Sequence, residues 1–189
     1  AGQGVVTFTI YFYALFFLQN TLNVETVTAY VLVGSAMLIG TPLMVFFGAL
    51  SDRIGAQSIM LTGFGLAVIG YLPLFKALTR AVNPHCPQPF DPGLLNGPLA
   101  VFILTLMMVM AAMVYGPVTA RLVNLFPTEI RYTSISLPFH LGNGWFGGLL
   151  PLIAAFLVAK TGNIYGGLYY PIGVCMMSIV VSLVFLRPK

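Results

Sequence analysis

Residues 113–151 read MVYGPVTARLVNLFPTEIRYTSISLPFHLGNGWFGGLLP: an apolar run, a short charged turn, and a second apolar run interrupted by glycines and polar residues. The turn Phe126-Pro127-Thr128-Glu129-Ile130-Arg131 joins two runs of membrane-spanning length. Charge at the centre of a bilayer is costly and Pro127 ends or kinks the incoming helix, so the turn belongs at a water interface. Such a hairpin marks a polytopic membrane protein. In the second run Ser136, His140, Asn143 and Gly147 recur at spacings of four, three and four, which aligns them on one helix face. That face is expected to look inward.

Composition agrees with this class. The 189 residues are 59% hydrophobic and 6% charged, against about 25% charged in soluble domains, and the mean hydropathy is +0.97. A single membrane domain over 1–189 is expected, with no residues to spare for an enzymatic domain. No phosphate-binding loop, catalytic triad or pair of acid/base carboxylates is present, so neither an enzyme nor a cofactor is expected. Eight basic and four acidic residues give a net charge of +4. They are spread thinly, without a basic stripe, and so bear on membrane orientation and not on nucleic acid. The opening AGQG has no positively charged leader, which predicts no secretory signal peptide and a truncated start. Cys86 lies in a polar loop and Cys175 in an apolar run, at different depths, so no disulfide between them is expected. His85, Cys86 and Asp91 do not have the spacing of a metal site.

A spanning helix needs roughly 20 mostly apolar residues, and six runs qualify: about 4–20, 28–50, 58–76, 98–125, 133–158 and 166–186. The one long connection, 77–97, reads as an extracytoplasmic loop. With an even number of spans both ends share a side, and the excess of Arg53, Arg121, Arg131, Arg187 and Lys189 over Lys76, Arg80 and Lys160 places the termini in the cytoplasm. The first and last three spans also resemble each other. Arg53-Ile54-Gly55 and Lys160-Thr161-Gly162 are basic-x-Gly turns after the second span of each triplet, facing opposite sides as an inverted repeat requires.

The block LFPTEIRYTS, followed by GNGWFGG, resembles the metabolite:proton symporters of the major facilitator superfamily. The likeness extends less densely from about Gly48 to the C-terminus. It implies an all-α integral membrane protein, six transmembrane helices as a 3+3 inverted repeat forming the C-terminal half of a transporter, in a bacterial inner membrane. The turn Gly48-Ala49-Leu50-Ser51-Asp52-Arg53-Ile54-Gly55 resembles the superfamily's signature between the second and third helices of a half. Gly48 would permit close helix approach, Gly55 a tight turn, and Asp52 with Arg53 a gate contact, with Arg121, Glu129 and Arg131 as further gate candidates. Ala56 and Gln57 replace the paired basic residues that usually follow, which weakens a charge relay. Arg121 and Asn124 share a helix face; Arg121 could hold an anionic group or simply snorkel to water.

In the superfamily the first, second, fourth and fifth helices of a half line the cavity. The resemblance therefore implies cavity positions at Tyr13, Asn20, Tyr115, Thr119, His140 and Asn143. In the first run Thr9, Tyr13, Phe16 and Asn20 are expected on one face. His140, the one histidine inside a span, is either a proton carrier or a neutral group hydrogen-bonded to Ser136. No Asp or Glu lies inside a span, so the main proton-binding carboxylate is expected in a missing N-terminal half. Gly142, Gly144, Gly147 and Gly148, with Pro138 and Pro151, suit either close packing or a bending helix. The expected function is secondary active transport of a small polar metabolite, an organic acid or zwitterion, coupled to protons. A self-paired six-span facilitator and a non-transporting scaffold or fragment are the alternatives. The partners are the metabolite, a proton, the lipid bilayer, and the missing half or a second copy.

Overall fold

In the computed structural model, which describes residues 1–86, 89–125 and 131–185, six helices are long and apolar enough to cross a membrane. They are α1 (Gly2–Thr21), α2 (Thr26–Ile54), α3 (Ala56–Val82) and α4 (Gly97–Leu125). α5 runs through Arg131–Leu141, a wide turn at Gly142–Gly147, and Leu150–Thr161. α6 starts with a 3-10 turn at Gly166–Leu168 and continues over Tyr169–Phe185. No strand occurs among the described residues.

The turns between helices follow from glycine. α2 ends and α3 begins at Gly55, whose φ of 100° is closed to side chains with a Cβ. α5 ends at Gly162, with φ 66° and its N–H on the Val158 carbonyl at 2.9 Å. Among the described residues these are the two glycines with positive φ, and each follows the second helix of a triplet. Helix pairing repeats in the same way. α2 packs along α4 as α1 packs along α5, and α3 meets α4 as α6 meets α1, while α3 and α6 contact each other directly. Exchanging the two triplets maps each contact onto its counterpart, which is the 3+3 inverted repeat.

Lipid supplies no hydrophobic force between helices, so close packing and interhelical hydrogen bonds must hold them. A Cβ on Gly116 of α4 would sit 2.6 Å from the Met44 carbonyl oxygen and 2.9 Å from the Gly48 nitrogen of α2. The backbones there touch. α1 is the most enclosed helix, its Tyr13 and Phe17 packed with Phe75 of α3 at ring-centroid distances of 5.6 and 5.1 Å. Cross-helix bonds pin the bundle at several depths. Tyr71 Oη donates to the Val6 carbonyl (3.4 Å) and Tyr165 Oη to Thr79 Oγ1 (3.2 Å). Gln57 Nε2 donates to the Ser182 carbonyl (3.2 Å).

α3 continues to Val82, six residues beyond the run expected from hydropathy. Its last turns carry Lys76 and Arg80, both exposed, and Lys76 Nζ lies over the Tyr165 ring at 5.9 Å. The helix outlasts the apolar run because these charges stand at the water interface with backbone bonding intact. The loop proper is tied down at both ends: Asn83 Nδ2 donates to the Leu22 carbonyl (3.2 Å), and the Asn96 N–H to the Ala81 carbonyl (2.8 Å). Burial raises the Cys86 thiol above its ordinary pKa, and its Sγ lies 3.6 Å from the Thr21 carbonyl oxygen.

The backbone contact at Gly116 sets a test. Gly116→Ala should destabilise the purified protein by about 1–3 kcal/mol, because neither backbone can yield as a side chain would. Gly65→Ala, where nothing lies within 4 Å of the added Cβ, should stay within about 0.5 kcal/mol. Thermal unfolding of both variants in one detergent reads the difference, and equal melting would dismiss the contact as a constraint.

Candidate functional site

A groove of about 390 Å³ runs between α1, α2, α4 and α5. Thr7, Phe8 and Tyr11 of α1, Met44 of α2, Tyr115 of α4, and Phe139 and Asn143 of α5 line it. None of the seven is charged. Four offer aromatic rings, and the polar atoms are two phenols, a threonine hydroxyl and a carboxamide. Thr7 Oγ1 is turned back to its own helix, donating to the Gln3 carbonyl at 3.0 Å. Asn143 donates through Nδ2 to the Phe139 carbonyl at 3.0 Å, while its buried Oδ1 has no hydrogen-bond partner among the described residues. A buried carboxamide oxygen left so costs stability, and here it is enclosed where α5 meets Gly4 of α1.

Asn143 is brought there by close approach of α1 and α5. A Cβ on Gly4 would stand 2.7 Å from Asn143 Oδ1 and 2.8 Å from the Gly142 carbonyl oxygen. The same crossing continues at Gly147, where an added Cβ would meet the Phe8 ring at 2.9 Å.

Of the six cavity positions expected from sequence, Tyr115 and Asn143 line the groove. Tyr13 is 2% exposed in the aromatic core against Phe17 and Phe75, and Asn20 is exposed at the outer end of α1, its Nδ2 on the Phe16 carbonyl at 3.2 Å. The face expected to hold Thr9, Tyr13, Phe16 and Asn20 together does not exist. Thr9 and Tyr13 are buried whereas Phe16 and Asn20 are exposed. α1 contains two wide, π-helical turns, Thr9–Tyr13 and Phe17–Thr21, and each extra residue advances the phase that regular helical spacing assumes. The groove face of α1 is instead Thr7, Phe8 and Tyr11; the four-residue step from Thr7 to Tyr11 was the available signal. Phe139 and Met44 carried none, being indistinguishable from core residues in sequence.

His140 is exposed and outside the groove lining. Its Nδ1 is 2.8 Å from the Ser136 carbonyl oxygen and 3.3 Å from Ser136 Oγ. A carbonyl only accepts, so this geometry puts the proton on Nδ1 and leaves Nε2 as the ring's free position. The expected inward face of Ser136, His140, Asn143 and Gly147 is divided: Gly147 is buried against α1, Asn143 is half-buried in the groove, and His140 is exposed and not among the groove's lining residues. The wide turn at Gly142–Gly147 breaks the phase between Asn143 and Gly147. The side chains of Thr119, Arg121, Asn124 and Arg131, and all of Glu129, lie outside the described residues.

Of the gate candidates, Gly48 faces Gly116, and Gly55 makes the α2–α3 turn. Asp52 and Arg53 are exposed at the end of α2, where Arg53 complements the negative end of the helix dipole. Among the described residues the two form no ion pair with each other.

A membrane bundle with a groove between four helices, its described lining aromatic and uncharged, is the class that fold and site define. No family model matches the chain, and no solved structure matches it. Among curated proteins, it is 28% identical over 94% of its length to a protein of Staphylococcus haemolyticus provisionally named a proline/betaine transporter. It is 25% identical over 86% of its length to an ectoine/proline transporter of Corynebacterium glutamicum, and 26% identical over 80% to an alpha-ketoglutarate permease of Escherichia coli. It is thus similar to proteins named as transporters and permeases and matches only part of each. The chain spans about a third of the length of these relatives, between 29% and 35%. They are named as transporters or permeases and not as enzymes.

Tyr13 offers a test of the groove's boundary. Its hydroxyl is buried without a partner among the described residues, and a Cβ on Gly167 would run into it. Tyr13→Phe should leave transport unchanged and hold or raise stability, by up to about 1–3 kcal/mol. Gly167→Ala should destabilise the parent more than the Tyr13→Phe background, a coupling that a double-mutant cycle of melting temperatures measures. Loss of transport in Tyr13→Phe would move the groove boundary to include it.

Proposed function

We propose that this chain is one wall of a secondary transporter that carries a small polar metabolite by alternating access. A second set of helices completes the site, and both termini lie in the cytoplasm of a bacterial plasma membrane. The observation that carries the reading is the groove itself: four helices converge on it, and four aromatic rings line it together with the side chain of Asn143. Transporters built from three-helix inverted repeats bind substrate near the midplane, between repeats.

Within the range of organic acids and zwitterions, the wall favours a zwitterion with an ammonium group shielded by carbon. Phe8, Tyr11, Tyr115 and Phe139 supply ring faces that attract such a cation, and among the described residues no lining side chain carries the positive charge a dicarboxylate would require. The names of the proline/betaine and ectoine/proline relatives accord with this preference. Proton coupling is assigned to the part of the transporter outside this chain, because among the described residues the acidic ones, Glu25, Asp52 and Asp91, fall in loops or at a helix end.

The test is counterflow of radiolabelled glycine betaine by the intact transporter in liposomes. Tyr115→Leu and Asn143→Ala should each reduce uptake about tenfold or more, and excess alpha-ketoglutarate should compete poorly. Unchanged uptake in both variants would take the groove out of the substrate path. His140→Ala should keep its dependence on a pH gradient; loss of that dependence alone would return the coupling role to His140.

A further inference from the structure

The wide turn in the middle of α5 has features of two helical registers at once. The Gly148 N–H lies 2.8 Å from the Asn143 carbonyl oxygen, the π-helical partner, and 3.1 Å from the Gly144 carbonyl oxygen, the α-helical partner. Downstream, Pro151 has no N–H, so the Gly147 carbonyl lacks its regular α-helical donor. Next to it, the Phe146 carbonyl accepts a hydrogen bond from Tyr170 Oη of α6 at 3.0 Å. The wide register also depends on glycine, since a Cβ on Gly148 would run into the Gly144 carbonyl oxygen.

We propose that Gly142–Gly147 is a two-register element, that the Tyr170 hydroxyl holds it in the wide register, and that this register is what presents Asn143 to the groove. Tyr170 is therefore a positioning residue. It does not line the groove and acts through the turn that carries Asn143. Collapse to the α register removes one residue from the turn. Everything on its N-terminal side, including Phe139, and Asn143 at the start of the turn itself then rotate by about 100° relative to Leu150–Thr161. Two of the seven groove residues leave together. The switch is local because α5 on the C-terminal side stays anchored by its own helix and by α6.

This inference rests on the groove being the substrate path, so its test has one readout that is independent of transport. In the intact transporter, freed of other reactive cysteines, His140→Cys reports the rotation of the N-terminal segment through its rate of labelling by a membrane-impermeant maleimide. Tyr170→Phe removes the hydroxyl and keeps the ring; Gly148→Ala disfavours the wide register by a different route. Both should change the labelling rate in the same direction, by about three- to tenfold, the scale of one interhelical hydrogen bond in a membrane. Equal labelling in parent and both variants overturns the two-register element.

The second readout is glycine betaine uptake. Tyr170→Phe should raise KM by a similar factor and leave kcat near that of the parent. Adding it to Asn143→Ala should have little further effect, because both changes remove the same carboxamide from the groove. Full additivity would show that Tyr170 does not act through Asn143. If the parent transports no glycine betaine, the transport reading fails by itself, and the labelling rates alone decide the inference.

Discussion

Where α4 passes α2 at Gly116, the two backbones come closer than any side chain on that glycine would permit. Hydrocarbon gives apolar side chains no reason to prefer each other over lipid, so the bundle depends on such contacts for the dispersion energy that separates packed helices from dispersed ones. α1 and α5 make the equivalent contact through Gly4, Gly142 and Gly147. Because the two crossings are related by exchange of the triplets, they hold four helices around one space. The groove is what remains between these helices where they diverge from their crossings.

The same contacts account for the placement of the polar groups. At the α1–α5 crossing Asn143 sets its amide nitrogen on the Phe139 carbonyl and its oxygen against Gly4. Asn143 stands within a wide turn, and two more occur in α1 across the crossing. Such turns widen a helix locally and release carbonyls from the regular ladder. In a membrane a released carbonyl must find a donor, and for Phe146 that donor is the Tyr170 hydroxyl. Packing, helix irregularity and site polarity are thus linked through a short segment of α5.

The class and fold were open to sequence reasoning because they follow from local rules. Membrane-length apolar runs, charged turns and the basic-x-Gly pairs at Gly55 and Gly162 each constrain the backbone without reference to anything distant. The site was half open to it. Tyr115 lies in a helix without wide turns over its described length, so its position follows from helix identity alone. Tyr13 was placed by a regular period that α1 does not keep. No residue in TIYFY or FLQNT announces a wide turn, which arises when a neighbouring helix and the available hydrogen bonds favour the extra residue. Tyr11 and Phe139 were hidden for the same kind of reason: an aromatic residue facing a groove and one facing a core look alike until the partner helix is in place.

An uncharged wall has a physical advantage for a carrier. A zwitterion entering a low-dielectric groove loses hydration at both ends, and a fixed opposite charge would offset that loss strongly but would also hold the solute against release. Ring faces and a carboxamide oxygen offset it more weakly, each by an amount comparable to a single net hydrogen bond. Several weak contacts from separate helices can be made and broken in sequence as those helices move. Asn143 is suited to such weak contact, since it lines the groove among the rings while its donor is already committed to its own helix. A solute bound there is held by contacts that a modest rotation of α5 is enough to undo.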